Sequence, residues 1–338
     1  DDRHIGARPD LPQQIQTVLL TEPKIEDPSF TQFQTSTREM LIEAQKNPMM
    51  LGMRTVMAAP YPDEEARTQP LTIEQVDKLT LPASQAWLNK LIKESPIEVT
   101  IVGDLPREQA LDLTARYIGA LPGARERVSP ETLASLRHLK RPAGPRTIEK
   151  SLDTPTDQAL VFSGFYGADE TNRDDARALA MAARILSTRM VKEVRETDQL
   201  VYSISAGSRA GSTWPGFGVF SASAPTDPVK IDALVAKLSS MYEAFANGGP
   251  TDEELDIAKK QMAKTYEEQL KEPGFWSGRL NQITFRGVSL DDLVSEPAAY
   301  QAMSVQRIKD VFAKYYAKPN SIVVVVKPAA ATNTGPSE

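Results

Sequence analysis

The chain has 338 residues, 41% of them hydrophobic and 25% charged, with a formal net charge of −6; such a length suits two globular domains. It contains no cysteine, which excludes disulfides, thiolate metal sites and cysteine nucleophiles, and its mild acidity argues against a nucleic-acid footprint, which needs a basic face. No apolar run approaches the ~18 residues of a membrane span, and Asp1-Asp2-Arg3-His4 is not a basic segment followed by an apolar core, so no signal peptide is legible.

From the N-terminus, a long amphipathic helix is expected to stop at Lys46-Asn47-Pro48, because proline continues a helix poorly. Thr72 stands at a helix N-cap with Gln75 placed for a capping box, and Ile73, Val76 and Leu79 follow at helical spacing. Past Trp87 and Leu88, the β-branched run from Ile97 to Gly103 reads as a buried strand. Pro122 to Pro145 is rich in Arg, Pro and Gly and reads as an interdomain linker. Strands are expected over Arg146–Lys150 and Gln158–Phe165, then a helix over Arg173–Glu196 with an apolar stripe at Leu179, Ala183, Leu186, Met190 and Val194. Strands near Leu200–Ser208 and Gly216–Ala224 come next, separated by Gly207, Gly211 and Pro215. A helix near Lys230–Ala246 precedes one over 252–271, which opens with a capping box at Thr251-Asp252-Glu253-Glu254 and closes at Glu272-Pro273. A helix capped by Ser304 and a final strand over Ser321–Val326 end the series, and the tail from Ala329 is expected to be flexible.

Two stretches of this series are versions of one another. Thr72 to Gly103 and Ser304 to Val326 each run from a hydroxyl cap through a helix to a β-branched strand, and the proline-ended helices upstream match at a similar offset, roughly 230 residues. That period is too long for a solenoid and suits two homologous domains. The expected fold class is therefore α+β: two homologous sandwich-like domains, each a mainly antiparallel sheet with helices packed on one face. The expected division is 1–121 for the C-terminal part of a first domain, 122–145 for the linker, 146–328 for a complete second domain and 329–338 for the tail. On the repeat arithmetic, the opening strands and first long helix of the first domain fall before residue 1.

The helix-to-strand passage from Val191 to Ala206 holds the strongest candidate site. Arg195 and Tyr202 lie seven residues apart at its junction. A guanidinium and a phenol at a cleft mouth can both donate to an oxyanion, yet the chain offers no nucleophile or metal set beside them. Its two histidines, His4 and His138, are far apart in sequence, and neither belongs to an H-E-x-x-H or H-x-x-E-H pattern. His138 sits among Arg137, Lys140 and Arg141, which disfavour a cation. The chain alone cannot build a histidine-ligated zinc site.

The order and spacing of several motifs resemble the pitrilysin/insulinase family of zinc peptidases, the inverzincins. In the second copy these are Thr156-Asp157-Gln158, Ile185-Leu186-Ser187, Arg195-Glu196 through Leu200-Val201-Tyr202, Gly249-Pro250-Thr251-Asp252-Glu253-Glu254-Leu255 and Pro319-Asn320; in the first, Ala59-Pro60-Tyr61-Pro62, the helix from Thr72, and Ile101-Val102-Gly103-Asp104-Leu105. The resemblance covers nearly the whole chain and is to the C-terminal, non-zinc-binding half. It implies four similar units in two halves that close like a clamshell, with H-x-x-E-H and zinc in the N-terminal half. That half, on the same polypeptide or a separate subunit, is the expected partner. No metal or other cofactor is expected in this chain. Arg195 and Tyr202 are implied as accessory residues that bind peptide substrate and support the charge developing on the carbonyl oxygen during hydrolysis. Because exported peptidases of this kind are common in bacteria, the resemblance also implies a periplasmic or extracellular address.

Each candidate has a plainer reading beside it. Arg195 near a helix C-terminus suits the macrodipole, and a strand tyrosine packs well. Gly207, Gly211, Gly216 and Gly218 either let backbone approach a bound peptide or, as we favour, serve turns and bulges. Phe275 and Trp276 read as core or interdomain anchors, Tyr61 and Trp87 as packing residues, and Glu267–Lys271 as a solvated helix face. A second function is a catalytically inactive scaffold or binding module of the same fold. The partner half discriminates, since only a peptidase needs H-x-x-E-H and a distal Glu there.

Overall fold

The computed structural model describes residues 19–121, 125–154, 156–317 and 320–329. Both His4 and the tail beyond Ala329 lie outside them. The chain forms two compact units. The larger comprises Leu41–Pro70, Ser135–Gln269 and the described residues from Phe285 on; the smaller comprises those up to Met40, Leu71–Ala134 and Leu270–Thr284.

The larger unit is built on a five-stranded sheet in the order β1-β5-β2-β4-β3, formed by β1 (Arg146–Leu152), β2 (Ala159–Gly167), β3 (Ser205–Arg209), β4 (Gly218–Thr226) and β5 (Ser321–Pro328). Only β1 and β5 are parallel; the remaining pairings are antiparallel. β2 lies at the centre and is buried at every position, the pattern of a strand covered on both faces. On one face lie the helices Arg173–Met190, Ile231–Gly248 and Val305–Tyr315. An aromatic cluster fills this interface: Phe165 stacks on Phe220 at 5.0 Å and Phe245 meets Phe312 edge-on at 4.8 Å. Tyr242 is buried among them, and its hydroxyl donates to the Ser163 carbonyl at 2.8 Å, which supplies the phenol with the partner it needs.

The opposite sheet face is not left bare. Leu152, Phe162, Tyr166 and Val324 pack there against Leu51, Val56, Ala59 and Tyr61. These come from the Pro48–Ala58 helix and the turn after it. The sequence expectation stopped a helix at Pro48. The helix does stop, at Lys46, but Pro48 also starts the next one, with Asn47 accepting from the Met49 and Met50 amides at 3.0 and 3.1 Å. Proline suits that first position, where the missing N–H is not needed. Gly52 faces Leu160, and a Cβ there would lie 2.2 Å from the leucine Cδ2. The helix thus packs close enough that a side chain at 52 would displace the end of Leu160.

The α+β class holds. Strand and helix positions in this unit match the expectation to within a few residues, with two exceptions at the candidate site described below. The stretch expected as linker carries a Pro130–Leu136 helix, and Arg137 then donates to the Thr213 carbonyl at 2.8 Å and also to Ser212.

The smaller unit is helical among its described residues. The Thr72–Gln75 capping box forms, with both reciprocal bonds at 2.9 and 3.1 Å, but the helix is only Ile73–Asp77; a new one, Leu81–Glu94, starts from Thr80. Gln34 ties the Asp27–Lys46 helix to this turn through the Val76 and Leu79 carbonyls. Two expectations are corrected here. The run from Ile97 to Gly103 joins no ladder, and most of it is exposed: a β-branched run makes a strand only where another strand completes its hydrogen bonds, and none lies beside it among the described residues. Trp87, expected to pack, is 63% exposed. Its helix has no fully buried residue, and the indole borders an apolar groove of about 630 Å³ with Phe30, Phe33 and Leu79. Phe275 and Trp276 are half-buried, and the indole N–H donates to the Leu270 carbonyl at 2.9 Å.

Candidate functional site

The site is reached along the Arg173–Met190 helix. Its N-terminus is capped by Asn172 and anchored by Asp175, a buried carboxylate that accepts from Arg307 and Lys314 at 2.6 Å and from the Tyr315 hydroxyl at 2.9 Å. Burial pushes the Asp175 carboxyl up, but the Lys314, Tyr315 and Arg307 donors outweigh it and hold it below the usual range. At the far end Arg189 grips Glu254 with two bonds, and its third contact is the Gly249 carbonyl at 3.0 Å.

The helix was expected to run as one piece to Glu196. It changes character instead. Val191–Thr197 is a π-helix, closed by a bond from the Asp198 amide to the Glu193 carbonyl at 2.9 Å. Next, Gln199 adopts φ 51°, the left-handed region, and the Leu200 amide reaches back to the Val194 carbonyl at 3.0 Å. This is the geometry of a left-handed helix stop, which usually employs glycine; a side chain there costs about 1 kcal/mol. Neighbours hold the turn: Lys230 donates to the Gln199 carbonyl at 2.9 Å and Thr226 to the Leu200 carbonyl at 2.8 Å. Val201 forms a single bridge to Thr226, and continuous pairing begins only at Ser205. The expected strand start at Leu200 is therefore corrected to Ser205, because the stop turn uses up Gln199 and Leu200. Ser187 closes the far side, giving to the Ala206 carbonyl at 3.0 Å and accepting from its amide at 2.7 Å.

The two expected site residues sit at either end of this turn. Arg195 is on the π-helix and is exposed; Tyr202 lies in the bend before β3 and is 90% exposed. Neither side chain has a hydrogen bond or ion pair within the described residues. Tyr202 is thus not the packed strand residue of the plainer reading. Val229, 85% exposed, lies on the same Thr226–Lys230 segment that braces the turn. Inward of the turn, Lys237 on the Ile231–Gly248 helix lies 3.1 Å from Glu193 and 3.1 Å from Asp198, and these bonds raise its pKa. The roles of Lys237, Lys230, Thr226 and Ser187 were not read from the sequence. Each acts on a partner distant in sequence, and no local motif marks it.

Of the four glycines near the site, Gly218 is the clearest. A Cβ there would lie 1.7 Å from the Ala168 carbonyl oxygen, so the residue serves close backbone packing. Among the described residues no group of three or more His, Cys, Asp or Glu is placed to hold a metal ion. The described residues do not fit a zinc site. No helix among them is long and apolar enough to cross a membrane.

Comparison with known proteins places the fold. The family model of the peptidase M16 inactive domain matches residues 78–262, more than half of the chain, and the chain belongs to that family. Among solved structures it is similar to a peptidase M16 inactive domain from Pseudomonas fluorescens, at 20% identity and a TM-score of 0.78, over 95% of this chain and 75% of that one. It is similar to a protease from Helicobacter pylori at 16% identity and a TM-score of 0.81, over 94% and 77%. The periplasmic protease PqqL from Escherichia coli aligns at 18% identity and a TM-score of 0.72 over 95% of this chain, which spans only 35% of that one. No curated protein matches the sequence. The fold is that of a non-catalytic half of M16 protease-like proteins.

Proposed function

We propose that this chain completes a zinc-dependent endopeptidase of the M16 type, closing the substrate chamber and presenting Arg195 and Tyr202 to a peptide held by the catalytic half. The observation that carries the reading is the pair of exposed, unpartnered donors at the two ends of a braced, left-handed turn. A guanidinium and a phenol are hydrogen-bond donors suited to a peptide carbonyl oxygen, and they bind it more tightly as it gains negative charge. Because their backbone is braced beforehand, only the two side chains remain to be ordered when substrate arrives. The zinc chemistry belongs to the partner half, whether that half is on the same polypeptide or separate. The linear boundary proposed with it is the one expected from the repeat, 146–328 for the second domain, whose folded unit also takes in residues 41–70.

The test is kinetic. In the assembly with the catalytic half, Arg195→Ala and Tyr202→Phe are each expected to lower turnover by ~10²–10³. Unchanged peptidase kinetics in both variants would overturn the proposal and favour a scaffold.

A further inference from the structure

The π-helix is a register choice, and one side chain outside it makes that choice legible. Glu193 and Asp198 are the two ends of the i→i+5 bond that defines the turn, and both carboxylates reach the same Lys237 ammonium at 3.1 Å. In an α-helix, five residues advance about 500°, leaving the two side chains about 140° apart around the axis. One ammonium cannot then serve both. An i→i+5 turn instead brings them onto one face of the helix, a turn apart. Lys237 is 28% exposed, on a helix whose neighbours Leu234 and Leu238 are fully buried, so its backbone is held and only its side chain can adjust to another register. Arg195 lies between the two clamped residues. If the segment returned to α-helical register, one residue of slippage would turn the downstream backbone by about 100°.

We infer that Lys237 is a positioning residue: its ion pairs with Glu193 and Asp198 select the π register and thereby aim Arg195 and deliver the chain to Gln199 in its left-handed turn. The inference rests on the function proposed for Arg195, and the experiment separates the two. Amide hydrogen exchange in the full chain is measured at Asp198 and Leu200 for wild type, K237M, K237R and E193Q, with thermal unfolding as a check on folding. K237M is expected to lose protection at both amides by about tenfold or more while the rest of the sheet keeps it, E193Q to lose part, and K237R to restore it. In the assembly with the catalytic half, K237M is expected to lower kcat by roughly ten- to a hundredfold with KM nearly unchanged. Added to R195A, it should lower kcat no further.

Unchanged protection in both K237M and E193Q would overturn the inference. So would a loss of protection that leaves kcat intact while R195A is impaired. If R195A and Y202F are both silent, the peptidase reading falls, and the clamp stands or falls on exchange alone.

Discussion

Arg189 and Glu254 meet side-on, Nε to Oε1 at 2.5 Å and the second guanidinium nitrogen to Oε2 at 2.6 Å. The same carboxylate accepts from the Thr251 amide at 2.7 Å, while the Glu254 amide donates to the Thr251 hydroxyl at 3.2 Å. One glutamate therefore closes the capping box of the Asp252–Gln269 helix and ties that helix to the last α-turn before the π-helix. Arg189 also stacks over Phe245, 5.1 Å from the ring centroid, so the pair is joined to the aromatic core.

This pair makes stability depend on pH. The Arg189 bonds hold the Glu254 carboxyl at about 2, against 4.5 ordinarily. A depressed acid stabilises fully above its unfolded value and loses that contribution as pH falls from about 4.5 toward 2. Both side chains remain about a quarter exposed, so we expect about 1–2 kcal/mol at neutral pH. Glu254→Gln keeps an acceptor for the cap but removes the charge. Urea unfolding should show the variant weaker at pH 7 by that amount, with the difference shrinking to near zero at pH 2.

Asp175 is the second acid to test. Asp175→Asn removes the charge facing Lys314 and Arg307 and leaves an amide hydrogen pointing at one of them. A loss of about 3 kcal/mol is expected in chemical denaturation. An unchanged midpoint would mean that the half-exposed Lys314 and Arg307 are satisfied equally well by water.

Two glycines separate backbone crowding from side-chain crowding. At Gly218 the obstacle is the Ala168 carbonyl, which cannot move without moving the strand; at Gly52 it is the end of the Leu160 side chain, which can rotate. Gly218→Ala should cost about 3 kcal/mol and Gly52→Ala less than about 1.5 kcal/mol. Thermal unfolding of the two variants checks the order.

Arg195→Ala and Tyr202→Phe should be silent in stability, within about 0.5 kcal/mol, since neither side chain is buried. A large fall in melting temperature for either would show a structural role and remove the basis for assigning it to substrate.

The purified chain, soaked with zinc and then dialysed, should retain far less than one equivalent by elemental analysis. Its described residues hold no cluster of ligands, and a protein zinc site takes three or four side-chain ligands. Stoichiometric retention would overturn the assignment of zinc to the partner half.

What could be read from the sequence was local. The hydroxyl caps at Thr72, Thr251 and Ser304 bond to amides three residues on, and the β5 run carries its own β-branched signature, so both were legible. The position of Arg195 and Tyr202 on either side of a helix-to-strand turn was legible for the same reason. The π register was not, because its ends are clamped from Lys237 on another helix. Nor was the left-handed turn, since Gln199 lacks the glycine that normally announces one. Asn47-Pro48 carried two messages, an end and a start, and only the end was read. The Ile97 run and Trp87 show the converse: apolar composition states what a segment can bury, while the neighbours decide whether it does.

The Pro48–Ala58 helix sets a practical limit on how this chain can be divided. A fragment cut at the linear boundary, beginning near Arg146, would keep all five strands but shed the cover over Leu152, Phe162, Tyr166 and Val324. The freshly bared surface would be flat, apolar and continuous across several strands, the kind that drives self-association. Splicing residues 41–70 back through a short tether should yield a smaller, well-behaved protein, whereas trimming at the obvious linker should yield a precipitate.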